Sequence, residues 1–404
     1  MSGSFRARGW WPAAGAVVVA AAAIGGVAFA ATRGGSAPAH RILVTDTACA
    51  PHWAAPRSGR TVFTVENTSK VTTYNIDLAS SNHVSVYGQI EGLDPGTSDT
   101  MDVVLPPGAY TFECGAFGGG TLDSDIARVS GPRVAAARSF QPVTPAQMRQ
   151  VTFTYRLSLQ PWLRKLAQDT DALTAAVKAG RLTAARSLWL TAHLDYSRLG
   201  AAYDTFGPYN DLIDGRPLGL PGGVRDPGFH GFLRLESGLW HGQPQTELAS
   251  VAVALDRSVH GLVHAFPRLT MPDGDVPLRT HEILENTLQF ELTGETDEGS
   301  HTNLATAWAN VQGTNLALAA VSEILGSSSP GLVQRVQTGL THLGEELKAY
   351  ERPDGAWVPL QSLPRAQRER LDAATSGLLE QLELVPDRLE IQATLSTNGR
   401  ETDD

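Results

Sequence analysis

The spacing of apolar residues changes once along the chain, near Pro145, and that change does most to limit the folds open to it. Ahead of it, short apolar or alternating stretches stand between turn residues; beyond it, apolar positions recur at three- and four-residue steps. A period of two buries one face of a strand, and a period of 3.6 buries one stripe of a helix. The two parts therefore belong to different architectures.

In the first part, 42–45, 61–65, 74–78, 84–87, 100–105 and 109–114 read as strands, with Asn67-Thr68-Ser69-Lys70 and Pro106-Pro107-Gly108 as turns between them. Short strands at this spacing predict a small β-sandwich or Greek-key barrel over 38–131. Residues 128–144, rich in Ala, Pro and Arg, read as a linker. In the second part, Leu157, Leu163, Leu166, Leu173 and Val177 fall on helical spacing and Gly180 is a stop signal. Further helices are expected over 182–203, 248–266, 281–292, 303–325, 331–350 and 363–384, so 145–395 reads as an all-α helical bundle. The Gly/Pro-rich stretch 210–226 is expected to be a long connection, and loops of that length inside compact domains tend to be functional.

Arg6 and Arg8 precede a stretch, 10–31, that carries no charge. A basic start followed by an Ala/Val run is an export signal, and Ala28-Phe29-Ala30 offers a small-x-small cleavage pattern. The run is also long enough to cross a bilayer, so 1–34 reads as a signal peptide or an N-terminal membrane anchor. Cys49 lies too far along for a lipid anchor. On either reading the remainder works outside the cytoplasmic membrane. With no second such run, a multi-span membrane protein is excluded. The formal charge is −10, from 32 Lys+Arg against 42 Asp+Glu, and such a surface repels a phosphate backbone. Nucleic acid is not an expected partner.

Several residues carry candidate chemistry. His281 and Glu285 are four apart on a predicted helix and could converge on one metal ion, or form a local pair; Glu282 is expected to point into solvent. His281-Glu282-Ile283-Leu284-Glu285 has Glu285 where a zinc peptidase needs its second histidine, so peptidase chemistry is not expected. Cys49 and Cys114 are the only thiols, and an oxidising compartment favours a disulfide between them. A cupredoxin copper centre is the alternative, with His52 and His83 on offer. It needs two imidazoles, a thiolate and an axial ligand, whereas only the run Gly115 to Gly120 follows Cys114, so copper is disfavoured. Trp162, Trp189, Trp240 and Trp308 read as core.

The block His281-Glu282-Ile283-Leu284-Glu285-Asn286, running on through Thr293-Gly294-Glu295-Thr296-Asp297-Glu298-Gly299-Ser300-His301-Thr302-Asn303, closely resembles the helix–loop–helix signature of the EfeO-type iron-uptake family. Ala192-His193-Leu194-Asp195-Tyr196 and Asp226-Pro227 to Trp240 are similar to two further blocks of that family, and Thr47-Ala48-Cys49 and Glu113-Cys114-Gly115 to its two cysteine positions. The resemblance implies a cupredoxin-like β-sandwich followed by an imelysin-like helical bundle. It implies that iron, ferrous or ferric, is held by Glu236, His281, Glu285, Asp226, His193 and Tyr196. It implies relay of that iron to an EfeU-type membrane permease beside an EfeB-type haem peroxidase, with no covalent catalysis by this chain.

The departures from the family pattern are as informative. The family motif Gly-x-His-x-x-Glu appears as Gly231-Phe232-Leu233-Arg234-Leu235-Glu236, with leucine at the histidine position. His230 stands six residues from Glu236 and does not share its helix face. Ser197 stands where a glutamate often follows the Tyr196 position. Asn75 and Phe112 align with a Glu and a Met in the relatives' cupredoxin core. These losses suggest a second reading, a relative that no longer binds metal and acts as an assembly or regulatory partner.

Overall fold

A computed structural model describes residues 40–389 apart from 118, 135, 136 and 138. The expected signal or anchor, 1–34, lies outside the described residues.

Two sheets make up the first part. Strands β1 (His40–Val44), β2 (Gly59–Asn67) and β5 (Ser98–Leu105) form one, with β1 parallel and β5 antiparallel to β2. In the other, β4 (Val86–Leu93), β3 (Tyr74–Ser80), β6 (Gly108–Ala116) and β7 (Thr121–Asp123) lie in that order, and β8 (Ala127–Val129) also pairs with β6. Alternation buries Phe63 and Val65 of β2, Ile76 and Leu78 of β3, and Phe112 and Cys114 of β6 in a common core. Edge-to-face rings fix its centre, with Trp53 5.0 Å from Phe112 and Phe63 5.3 Å from Phe112. Cys49 and Cys114 form a disulfide across 5.7 Å between Cα atoms, so neither sulfur is a free thiolate for copper. Asn75 does not belong to this core. It stands between the inward-facing Tyr74 and Ile76, and its Oδ1 accepts a hydrogen bond from the Gly92 N–H at 2.8 Å. Strand β8 also overlaps the start of what reads from sequence as linker.

The second part opens with α1 (Pro145–Lys178). Thr144 and Gln147 form a capping box, and Pro145 at the first helical position suits a site with no hydrogen-bond partner to lose. Met148, Val151, Tyr155, Leu159, Leu163 and Leu166 form its buried stripe, whereas Leu157 lies off that stripe and is exposed. The other helices are α2 (Leu182–Ser197), α3 (Pro208–Asp214), α4 (Gly231–Trp240), α5 (Gln245–Ala265), α6 (Asp275–Asn286), α7 (Asn303–Ser328), α8 (Pro330–Lys348), α9 (Arg365–Leu382) and α10 (Leu384–Leu389). They share one continuous apolar core. The stretch read as a connection in fact supplies most of α3. Among the described residues no helix is long and apolar enough to cross a membrane.

Candidate functional site

A cavity of about 280 Å³ opens among α2, α3, α4, α6 and α7. His193 of α2 stands on its wall with a nearly buried ring, stacked on Trp189 at 4.8 Å and flanked by Phe232 at 5.4 Å. Its Nε2 lies 3.5 Å from Asp214 Oδ1 at the end of α3, an ion-pair contact too long for a good hydrogen bond. Burial disfavours the imidazolium, but Asp214, with Glu236 and Glu291 nearby, outweighs it and holds the His193 pKa above its ordinary value. The Nδ1 of the same ring has no hydrogen-bond partner.

Asp214 reaches His193 because α3 and α4 touch end to end. Gly231 begins α4 with φ +86°, and a Cβ placed there would lie 2.1 Å from the Ile213 carbonyl oxygen. Only glycine permits that backbone and that approach, which gives the first residue of Gly-x-His-x-x-Glu its physical reason. Glu236, at the other end of the motif, is 1% exposed. One of its oxygens accepts the Ser300 N–H at 2.8 Å, while Oε2 has no partner. Burial drives its pKa up to about 8, against the opposing pull of Ser300 and His193.

Ser300 is positioned by the loop between α6 and α7. Asp297 Oδ1 accepts the N–H groups of Gly299 at 2.9 Å and His301 at 3.0 Å, and its Oδ2 meets His301 Nδ1 at 2.6 Å. The loop leaves α6 through a π-helical turn, Thr287–Glu291. The extra residue of such a turn rotates the chain beyond it, and turns of this kind recur at functional sites. Phe290 and Glu291 of this turn line the cavity. Glu291 accepts from the Thr296 hydroxyl at 2.8 Å and from Asn303 Nδ2 at 3.2 Å, and burial raises its pKa.

The sequence-derived ligand set divides. His193 lines the cavity, and Glu236 lies close enough to shift the His193 charge. Tyr196 is fully buried, and its hydroxyl donates to Asn210 Oδ1 at 2.9 Å. His281 and Glu285 do pair, at 3.8 Å, but outside the cavity, with Glu285 58% exposed. At 100° per residue the cavity stripe of α6 runs through Arg279, Glu282, Ile283 and Asn286, which puts His281 and Glu285 on the far side. Glu282, expected in solvent, is thus a wall residue ion-paired with Arg279, which also holds Asp204. Asp226 closes a turn instead, accepting from Gly228 N–H at 2.8 Å and Gly222 N–H at 2.9 Å, and these bonds lower its pKa. Asp214, Glu291, Arg216 and Arg279 are wall residues that sequence reasoning missed. For α6 the signal was present, as the i, i+3, i+4, i+7 run from Arg279 to Asn286.

Both departures from the family pattern, Leu233 and Ser197, face this same cavity. Among the described residues, the group of three His, Asp or Glu donor atoms lying within 4.8 Å of one another is elsewhere, at Asp171, Asp256 and His260 on α1 and α5. The cavity thus brings together carboxylates and an imidazole without drawing three of their donor atoms that close.

A two-sheet sandwich followed by a helical part with an imelysin domain defines the class: the imelysin family model matches residues 151–265, from α1 to the end of α5. Along most of its length the chain is similar to the iron uptake system component EfeO of Escherichia coli K12, 26% identical over 345 residues, which are 85% of this chain and 90% of that protein. The EfeO proteins of Shigella flexneri and Shigella sonnei match to the same extent. A solved chain of reduced auracyanin from Roseiflexus castenholzii aligns with 24% of this chain and 100% of its own length, at 18% identity and a TM-score of 0.20. In the order of its parts and along most of its length, the chain is similar to EfeO-type proteins.

Proposed function

We propose that this chain is the extracytoplasmic iron-binding component of an iron-uptake system, holding iron in the helical cavity and relaying it to an EfeU-type membrane permease, with an EfeB-type haem peroxidase as partner. One observation carries the reading: His193, Asp214 and Glu291 share one small cavity, with Glu236 beside it, and oxygens of Asp214 and Glu236 have no hydrogen-bond partner. Imidazole and carboxylate are donors that iron accepts. Iron is cargo here, so no covalent step is required of the protein. The similarity to proteins named as iron uptake components supports the same reading.

Calorimetry of the mature protein with ferrous iron under anaerobic conditions tests it. Micromolar binding is expected, weakened by Glu291→Gln and by His193→Gln and unchanged by His281→Ala or Glu285→Ala. Absence of heat, together with absence of iron in protein purified from its native envelope, would sink the reading. A second reading, a non-binding assembly or regulatory partner, draws on Leu233 and Ser197 standing on the cavity wall. It gains if Leu233→His, which returns an imidazole to that wall, is needed before any iron binds.

A further inference from the structure

We propose that the cavity accepts iron together with a small di- or tricarboxylate co-ligand, whose carboxylates are received by Arg216 and Arg279. The inference rests on the iron-binding reading and names the form in which the cargo arrives.

Three features point the same way. The protein's own charged and imidazole donors are too few and too dispersed to enclose a bare ion: Leu233 occupies the motif's imidazole position, and among the described residues no three His, Asp or Glu of the cavity bring donor atoms within 4.8 Å of one another. The remaining coordination positions of the metal then fall to something brought with it. The space suits that. A volume of about 280 Å³ is far more than one ion needs and is close to the lower end of small-molecule pockets.

The charges of the wall are the third feature. A site built for a naked cation would keep guanidinium groups away, because like charges at short range disfavour binding. Here two arginines line the cavity. Arg216 lies on the Phe290 ring at 3.8 Å, and no carboxylate of the described residues forms a salt bridge with it. Arg279 holds Asp204 and Glu282 through its terminal nitrogens, and its buried Nε has no hydrogen-bond partner. A planar guanidinium matches a carboxylate in two parallel hydrogen bonds, and stacking on an aromatic ring leaves its edge free to make them. The metal would face the carboxylate and imidazole side, His193 and Glu291, while the co-ligand's outer carboxylates face the arginine side.

The test compares three probes by calorimetry on the mature protein: ferrous sulfate without oxygen or carboxylates, citrate alone, and ferric citrate. Ferric citrate is expected to bind at least about tenfold tighter than either of the others. Arg216→Gln, at an exposed position, should weaken ferric citrate on the order of tenfold, the scale of one charge-assisted hydrogen bond, without weakening ferrous iron, from which it removes a like charge. Carboxylate-free iron binding as tightly as ferric citrate, with no effect of Arg216→Gln, overturns the co-ligand while iron binding survives. Citrate bound equally well with and without iron overturns it too, leaving an organic-acid site. If none of the three probes binds, the iron reading itself falls.

Discussion

Glu236 offers the sharpest quantitative test, because its environment converts directly into a dependence of stability on pH. Burial keeps its proton in place up to about pH 8, whereas in the unfolded chain an ordinary glutamate loses it near 4.5. Between those values the folded state holds more protons than the unfolded state, so raising the pH favours unfolding. Each pH unit in that window costs about 1.4 kcal/mol, which amounts to about 3 kcal/mol between pH 5 and pH 7.5. Glu236→Gln keeps the oxygen that accepts from Ser300 and removes the charge. Its new amide faces the place where Oε2 has no partner, a penalty independent of pH. The experiment is urea unfolding of iron-free protein, followed by far-UV ellipticity, which the helices dominate. Wild type should lose about 3 kcal/mol relative to the variant as pH rises from 5 to 7.5, and the comparison cancels groups titrating alike in both. A difference constant to within about 1 kcal/mol would show that Glu236 ionises normally, and the picture of a desolvated carboxyl beside the cavity would be wrong.

Three other outcomes are expected from the same structure. Gly231→Ala should destabilise the helical part by about 3 kcal/mol or more in the same urea assay, since the added Cβ meets the Ile213 carbonyl and the backbone is left-handed. Replacing Cys49 and Cys114 with alanine should cost the sandwich about 4 kcal/mol by calorimetric melting, given the 65-residue separation that the bond closes in the unfolded chain. Iron binding should release protons and weaken as pH falls below about 8, because raised carboxyl groups at Glu236 and Glu291 must ionise to serve as donors. Titrations in buffers of different ionisation heat measure that release, and a heat independent of buffer would count against both residues as ligands.

Much of the architecture is written in local pattern. Apolar residues two apart, or three and four apart, report which face meets a core, so five of the six expected strands and most of the long helices stand where the periodicity puts them, while the strand expected at 84–87 runs instead from Val86 to Leu93. His193 and Glu236 are reached by likeness of short blocks, which survives distant divergence where a chain must place a donor beside a fixed backbone. The failures have equally specific causes. Asp214 sits at the end of a short helix within a Gly/Pro-rich stretch, whose composition reads as connection. Glu291 closes a π-helical turn, and no period of 3.6 anticipates that rotation. His281 and Glu285 carry the right spacing for a shared ion, yet spacing fixes only that two side chains share a face and leaves open which way that face looks.

The order of residues along the chain dictates the division into a sandwich and a helical part, the elements of each, and the presence of imidazole and carboxylate groups in family-like blocks. Which of those groups meet is settled by packing in three dimensions. Packing sets α3 against the start of α4 so that Asp214 faces His193, and it turns Glu282 inward and His281 outward. It also gathers Leu233, Ser197, Arg216 and Arg279 around one cavity. The physical reason is range. Backbone propensity and amphipathic period act over a few residues, whereas a site is assembled by contacts between helices far apart in the chain, whose mutual rotation only packing can set.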